Sequence, residues 1–212
     1  MAPVVYVVTD PLCSWCWGMS GAVEEAVHQL REEVTFELLL GGINTHATQP
    51  IGEFGRRHLM HLWREVSATT GVSFGYRLPE AFVYNSTLPC IALEAFRRRA
   101  GTAPFGFLHR LQQCLFEEGR NTTSVETLDW IAREFGWNAG ELVAELEDTT
   151  LQARVADQFE GSRRYGTNAL PSVLLETAGE RRLLFGGYAD SQMIVSLVRQ
   201  ALDALEDRPR AR

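Results

Sequence analysis

Two cysteines stand two residues apart in "TDPLCSWCWG", Cys13 and Cys16, with Ser14 and Trp15 between them. Such a pair can ligate a metal, close a structural disulfide or cycle as a dithiol–disulfide couple. A metal centre needs about two further ligands. The compact candidates are His58 and His61, three residues apart and far along the chain. The 4 cysteines are too few and too unevenly spaced for a disulfide framework. In a reducing compartment an isolated CxxC reads as catalytic or metal-binding before it reads as a structural bridge. Redox use is therefore the expectation, with no metal bound.

That chemistry asks for the first cysteine at a helix N-terminus, where unpaired N–H groups and the helix dipole favour a thiolate. The second must follow on the first helical turn so that the sulfurs can meet. The flanking sequence supplies both. Residues 4–9, "VVYVVT", are a β-branched apolar run suited to a buried strand. Asp10-Pro11 breaks it. Ala22, Val23, Ala26, Val27 and Leu30 then recur at helical spacing, so a helix is predicted from near the cysteines to about Arg31. "VTFELLL" (34–40) is a second buried strand, closed by Gly41-Gly42. Strand, helix and strand at this spacing make a βαβ unit with a parallel pair and a right-handed crossover.

The middle of the chain reads as helices, at about 53–69, 87–100, 104–118, from 125, 139–147 and 149–163. Thr123-Ser124-Val125-Glu126 suggests a capping box. Strands return in "LPSVLLE" (170–176) and "RRLLFGG" (181–187), joined by a Thr177-Ala178-Gly179-Glu180 hairpin. A last helix follows Asp190 or Ser191. The predicted class is α/β, with a four-stranded mixed sheet split by a large all-helical insertion. The expected divisions are 1–45, 46–165 for the insertion, 166–207, and a polar tail at 208–212. Pro171 is the proline that falls at the start of the first strand after the helical block.

Composition narrows the function. The formal net charge is −7, which argues against nucleic acid and anionic membranes as partners. All 20 basic residues are arginine, so lysine Schiff-base and lysine–phosphate chemistry are absent. No stretch approaches the roughly 20 apolar residues of a membrane span. The start of the chain carries no basic region before "VVYVV", and a cytoplasmic location is the expectation.

With "DPLCSWCWG" at the first turn and "ALP" late, the chain resembles the DsbA-like branch of the thioredoxin superfamily. Within it the similarity is greatest to cytoplasmic, FrnE-like dithiol-disulfide oxidoreductases. "LLLGG" (38–42), "YNST" (84–87) and "FEEGRNTTSVETL" (116–128) also look like family segments. The resemblance implies a thioredoxin-like fold and protein-disulfide reductase or isomerase activity. It implies Cys13 as nucleophile, Cys16 as resolving cysteine and Pro171 as a cis-proline that positions substrate. It calls for no bound cofactor beyond the Cys13–Cys16 couple, for disulfide or dithiol proteins or small thiols as substrates, and for glutathione or a thioredoxin-type partner in recycling. The Ser-Trp dipeptide lacks the histidine of the periplasmic oxidase, which argues against a strongly oxidising couple.

Trp15 and Leu170 are the candidate substrate contacts. Asp10 either tunes the Cys13 thiol or shapes the turn before Pro11. Cys114 reads as a buried thiol, whereas Cys90 lies toward the polar side of its helix, with Glu94 one turn on, and is an exposure candidate. The arginine run in "FRRRAG" reads as a solvated helix end. Two other functions stay open. One is a glutathione-dependent isomerase or transferase of the kappa or 2-hydroxychromene-2-carboxylate isomerase type, in which serine usually replaces the CxxC. The other is a DsbA-like adaptor whose thiols sense oxidation.

Overall fold

The computed structural model describes residues 2–165 and 169–206; the expected tail at 208–212 lies outside them. β1 (Val4–Thr9), α1 (Ser14–Leu30) and β2 (Thr35–Leu40) form the first unit. Six helices fill the middle, α2 (Glu53–Thr70), α3 (Thr87–Ala100), α4 (Phe105–Phe116), α5 (Val125–Glu134), α6 (Glu141–Leu146) and α7 (Thr149–Arg163). β3 (Ser172–Thr177), β4 (Glu180–Gly186) and α8 (Ser191–Glu206) close the fold. The sheet order is β2-β1-β3-β4. β1 and β2 are parallel, and β3 is antiparallel to both β1 and β4.

Side-chain alternation divides the sheet into two faces. Val5, Val7, Leu38, Val173 and Leu175 join the main core with Met19, Val23 and Ala26 of α1. Val8, Leu39 and Leu174 form a smaller cluster on the other side, covered by Tyr6, Tyr165 and Leu170. The hairpin turns through Ala178 and Gly179, both at positive φ, as a tight two-residue connection requires.

The outer edge of β2 is covered. Arg97 Nη2 donates to Leu38 O at 2.7 Å, and Leu40 N donates to Gln158 Oε1 at 3.2 Å. An open strand edge invites pairing with another chain, and these two side chains block it. Arg97 also meets Glu37 and the buried Glu94. Arg98 pairs with Glu145 and Asp148, and Arg99 with Glu141. The arginine run is thus an ion-paired seam to α6 and the start of α7, because the acids it meets lie more than forty residues downstream. The cap of α5 also differs from the expected box. Ser124 is the N-cap and accepts from Thr127 N at 3.3 Å, one residue later than the pattern suggested.

Candidate active site

The turn between β1 and α1 begins at Asp10, whose carbonyl accepts from Cys13 N at 3.1 Å. Cys13 is the N-cap of α1, with φ −82° and ψ 112°. Its carbonyl accepts the first helical hydrogen bond from Trp17 N at 3.0 Å. Its Sγ accepts from Cys16 N at 3.1 Å, so a sulfur occupies the place a serine or aspartate oxygen takes in an ordinary cap. Both cysteines are free thiols, 6 % and 5 % exposed.

β3 carries the opposite wall. The last β1–β3 pair is Val8–Ser172, so Pro171 lies at the end of β1 from which the cysteine turn departs. The Leu170–Pro171 peptide is cis, and Pro171 O accepts from Gly187 N at 2.8 Å. Leu170 is half-buried and packs over Gly41, where a Cβ would collide with it. Trp15 is half-buried, its ring centroid 6.3 Å from that of Tyr188. Trp17 points inward, donating from Nε1 to Ser73 O at 3.0 Å and packing with Trp63 and Phe116 in a second core.

Asp10 fills the turn role and reaches beyond it. It is fully buried. Its Oδ1 accepts from Leu12 N at 2.8 Å, the turn role. Its Oδ2 accepts from Ser86 Oγ at 2.5 Å and from Ile43 N at 3.0 Å. One carboxyl thus ties the cysteine turn to the loop after β2 and to the N-cap of α3. Burial outweighs these donors and raises its pKa from 3.8 to about 6. Among the described residues its carboxyl makes no hydrogen bond to the Cys13 side chain, and its charge adds the least of the pushes that raise the Cys13 thiol. Tyr84 completes the loop wall, donating to Leu12 O at 3.1 Å. Sequence reading marked "YNST" without giving Tyr84 or Ser86 a role.

The cap position alone argues for a thiolate-favouring Cys13. The surroundings decide otherwise. Burial first, then the Cys16 thiol, push the Cys13 thiol well above its ordinary value; the Cys16 N–H opposes them, and the Asp10 charge adds to the rise. Cys90 is also corrected. It is fully buried, with Sγ 3.9 Å from Asp10 Oδ2, rather than exposed. The Glu94 that suggested a polar face is itself buried, held by Arg97 and by Gln158 Nε2 at 3.0 Å. Cys114 is buried as expected, its thiol pushed up to about 11 chiefly by burial. His58 and His61 are both exposed, and no group of metal-ligating side chains occurs among the described residues.

A thioredoxin sheet split by helices, with a CxxC at the first helix N-cap beside a cis-proline, defines a DsbA-like thiol oxidoreductase domain. The chain belongs to the DSBA-like thioredoxin domain family, which it matches over residues 4–196. It is similar to a candidate protein disulfide isomerase from Nitrosomonas europaea, at 23 % identity and a TM-score of 0.88, over 96 % of this chain and 99 % of that one. It is also similar to the cytosolic disulfide reductase DsbM from Pseudomonas aeruginosa, at 24 % identity and a TM-score of 0.75, over 96 % and 98 % of the two chains. A DsbM structure with GSH aligns at a TM-score of 0.71 and 24 % identity, over 98 % of this chain and 100 % of that one. At these identities the solved structures establish the fold. The ClpXP adapter protein SpxH from Halalkalibacterium halodurans is 20 % identical over 211 residues, 96 % of this chain and 69 % of that protein. No helix among the described residues is long and apolar enough to cross a membrane.

Proposed function

We propose that the protein is a cytoplasmic thiol-disulfide oxidoreductase working in the reducing or isomerising direction through Cys13 and Cys16. The observation that carries this reading is the cap geometry, Cys13 Sγ receiving Cys16 N–H at 3.1 Å. Cys13, as thiolate, attacks one sulfur of a substrate disulfide. The other substrate sulfur leaves as a thiolate and takes up a proton. Cys16, once deprotonated, attacks Cys13 Sγ in the mixed disulfide and expels the second substrate thiol. The substrate disulfide has gained two electrons, and the protein holds a Cys13–Cys16 disulfide. Two equivalents of a monothiol such as glutathione, or one dithiol of a thioredoxin-type partner, return it to the dithiol.

The raised Cys13 thiol supports this direction. A thiolate-stabilising site favours the reduced form and makes an oxidant; a site that withdraws that stabilisation makes a better electron donor. Trp15, Leu170 and Pro171 are assigned to substrate contact, and Asp10 to setting the turn and the charge around Cys13. Glutathione as recycling reductant draws support from the GSH complex of the similar DsbM. The intact cysteine pair separates this reading from the isomerase and transferase alternative. The test is catalysed reduction of insulin by wild type and Cys13→Ser. Activity in the wild type alone is expected; equal rates for both, or none for either, reject the assignment.

The similarity to SpxH favours one second reading, an adaptor that presents a protein partner. On that reading Cys13→Ser keeps the phenotype of the wild type in a cell-based assay.

A further inference from the structure

β2 runs out into Gly41 and Gly42, the end of the segment "LLLGG". The two are glycine for different reasons. Gly42 has φ 73°, a left-handed backbone in which a side chain is strained. A Cβ there would also meet the Phe159 ring of α7 at 2.7 Å. Gly41 has no positive φ. Its N–H donates to Thr9 O at 2.9 Å, which prolongs the β1–β2 ladder by one ordinary strand residue. Its backbone therefore does not call for glycine. What excludes a side chain is Leu170. A Cβ on Gly41 would lie 2.6 Å from Leu170 Cδ2, 2.8 Å from Cδ1 and 3.2 Å from Cγ. Glycine within a strand marks such a close approach.

The contact crosses the sheet. In the order β2-β1-β3-β4, Gly41 and the residues leading into β3 belong to opposite sides of β1. The Leu170 side chain thus passes over the end of β1, where the chain turns through Asp10 toward Cys13. Leu170 adjoins Pro171, which lines one cleft together with Cys16. Inward space is already taken. Leu170 packs on Val8, Leu39 and Leu174, all three buried. A close-packed interior holds no vacant place for a displaced side chain. The clash with a Gly41 Cβ includes the branched Cγ, so turning one methyl aside does not relieve it. A Leu170 side chain lifted off Gly41 must change rotamer and move outward, since Leu170 is half-buried and its open side is solvent.

We propose that Gly41 is a positioning residue of the redox site: it seats the Leu170 side chain and so keeps it out of the path of a protein disulfide approaching the cysteine pair. The consequence for substrate rests on the redox reading; the seat itself does not. A polypeptide must pass beside the Leu170–Pro171 turn to bring its disulfide to Cys13, whereas a small disulfide needs less room.

The test is a double-mutant cycle of Gly41→Ala and Leu170→Ala in the full chain. Gly41→Ala should lower the urea midpoint when Leu170 is present. With Leu170→Ala it should leave the midpoint equal or higher, because the new methyl then has room and alanine restricts the unfolded chain. In insulin reduction Gly41→Ala should raise KM at least about threefold and hold kcat within about twofold, the pattern of a blocked approach. Reduction of bis(2-hydroxyethyl) disulfide should stay within about twofold of wild type. In the Leu170→Ala background the same Gly41→Ala change should move the insulin KM by less than about twofold. If circular dichroism shows Gly41→Ala alone unfolded, recovery of the fold in the double variant supports the seat, and Leu170→Phe, too large for it, carries the kinetic arm. An equal midpoint loss in both backgrounds overturns the seat. An unchanged insulin KM, an equal loss on the small disulfide, or a KM rise that persists without Leu170 overturns the positioning role. A wild type that reduces no insulin rejects the redox reading, and the midpoints still decide the seat.

Discussion

Asp10→Asn probes the group on which the site is hung. In the unfolded chain this carboxyl ionises near 3.8, and in the folded protein near 6. Between those values the folded state keeps a proton that the unfolded state has lost. Stability therefore falls as pH rises through the window and levels off above the folded pKa. The displacement is worth about 3 kcal/mol in all, and about 2 kcal/mol of it falls between about pH 4.5 and 7.5. Asparagine does not titrate. Its own fixed costs, such as losing the acceptor for Ile43 N, cancel when the variant and wild type are compared at two pH values. Urea unfolding of both proteins should show the variant gaining about 2 kcal/mol on the wild type from pH 4.5 to 7.5. A difference that stays flat within about 0.5 kcal/mol refutes the buried, ionising carboxyl, since that is the usual limit of additivity. The Cys13 thiol should also move down, because one of the charges raising it is gone. Burial, the larger cause, remains and keeps it above the ordinary value. The pH dependence of Cys13 alkylation in a Cys16→Ser background reads this shift.

Other outcomes follow from the same contacts. Ser86→Ala removes the shortest donor to Asp10 and should lower stability by about 1–3 kcal/mol at neutral pH, and by less at pH 4.5, as urea unfolding at the two values can show. Arg97→Met leaves the buried Glu94 short of a partner and should cost about 3 kcal/mol. Adding Glu94→Gln should recover part of that loss in a double-mutant cycle. Cys90→Ala should lower stability by about 1–2 kcal/mol in urea unfolding while leaving the insulin-reduction rate near that of wild type. A large loss of activity in this variant would give the third thiol a part in the redox cycle.

Local sequence carried much of the architecture. The helix over Ser14–Leu30 and the strands around it were legible because apolar spacing, the Asp10-Pro11 break and the Gly41-Gly42 stop all agree on them. The remaining features depend on residues far apart in the chain. Asp10 draws donors from positions 33 and 76 residues away, so its turn role was visible and its tie to α3 was not. Cys90 was misplaced because charge is an ordinary sign of exposure. Glu94 breaks that sign by pairing with Arg97 and Gln158. The thiol character of Cys13 was only half legible for a related reason. Spacing reveals the helix cap, but the burial that overrides it comes from the assembled fold.

The central claim is that Cys13 attacks and Cys16 resolves. Reduced Cys16→Ser mixed with a disulfide substrate such as oxidised insulin, quenched in acid and read by intact mass and peptide mapping, tests it directly. The expected result is one substrate chain joined to Cys13, with no adduct on Cys13→Ser and no accumulation in the wild type. An adduct mapped to Cys90 or Cys114, or equal trapping by Cys13→Ser, contradicts the account.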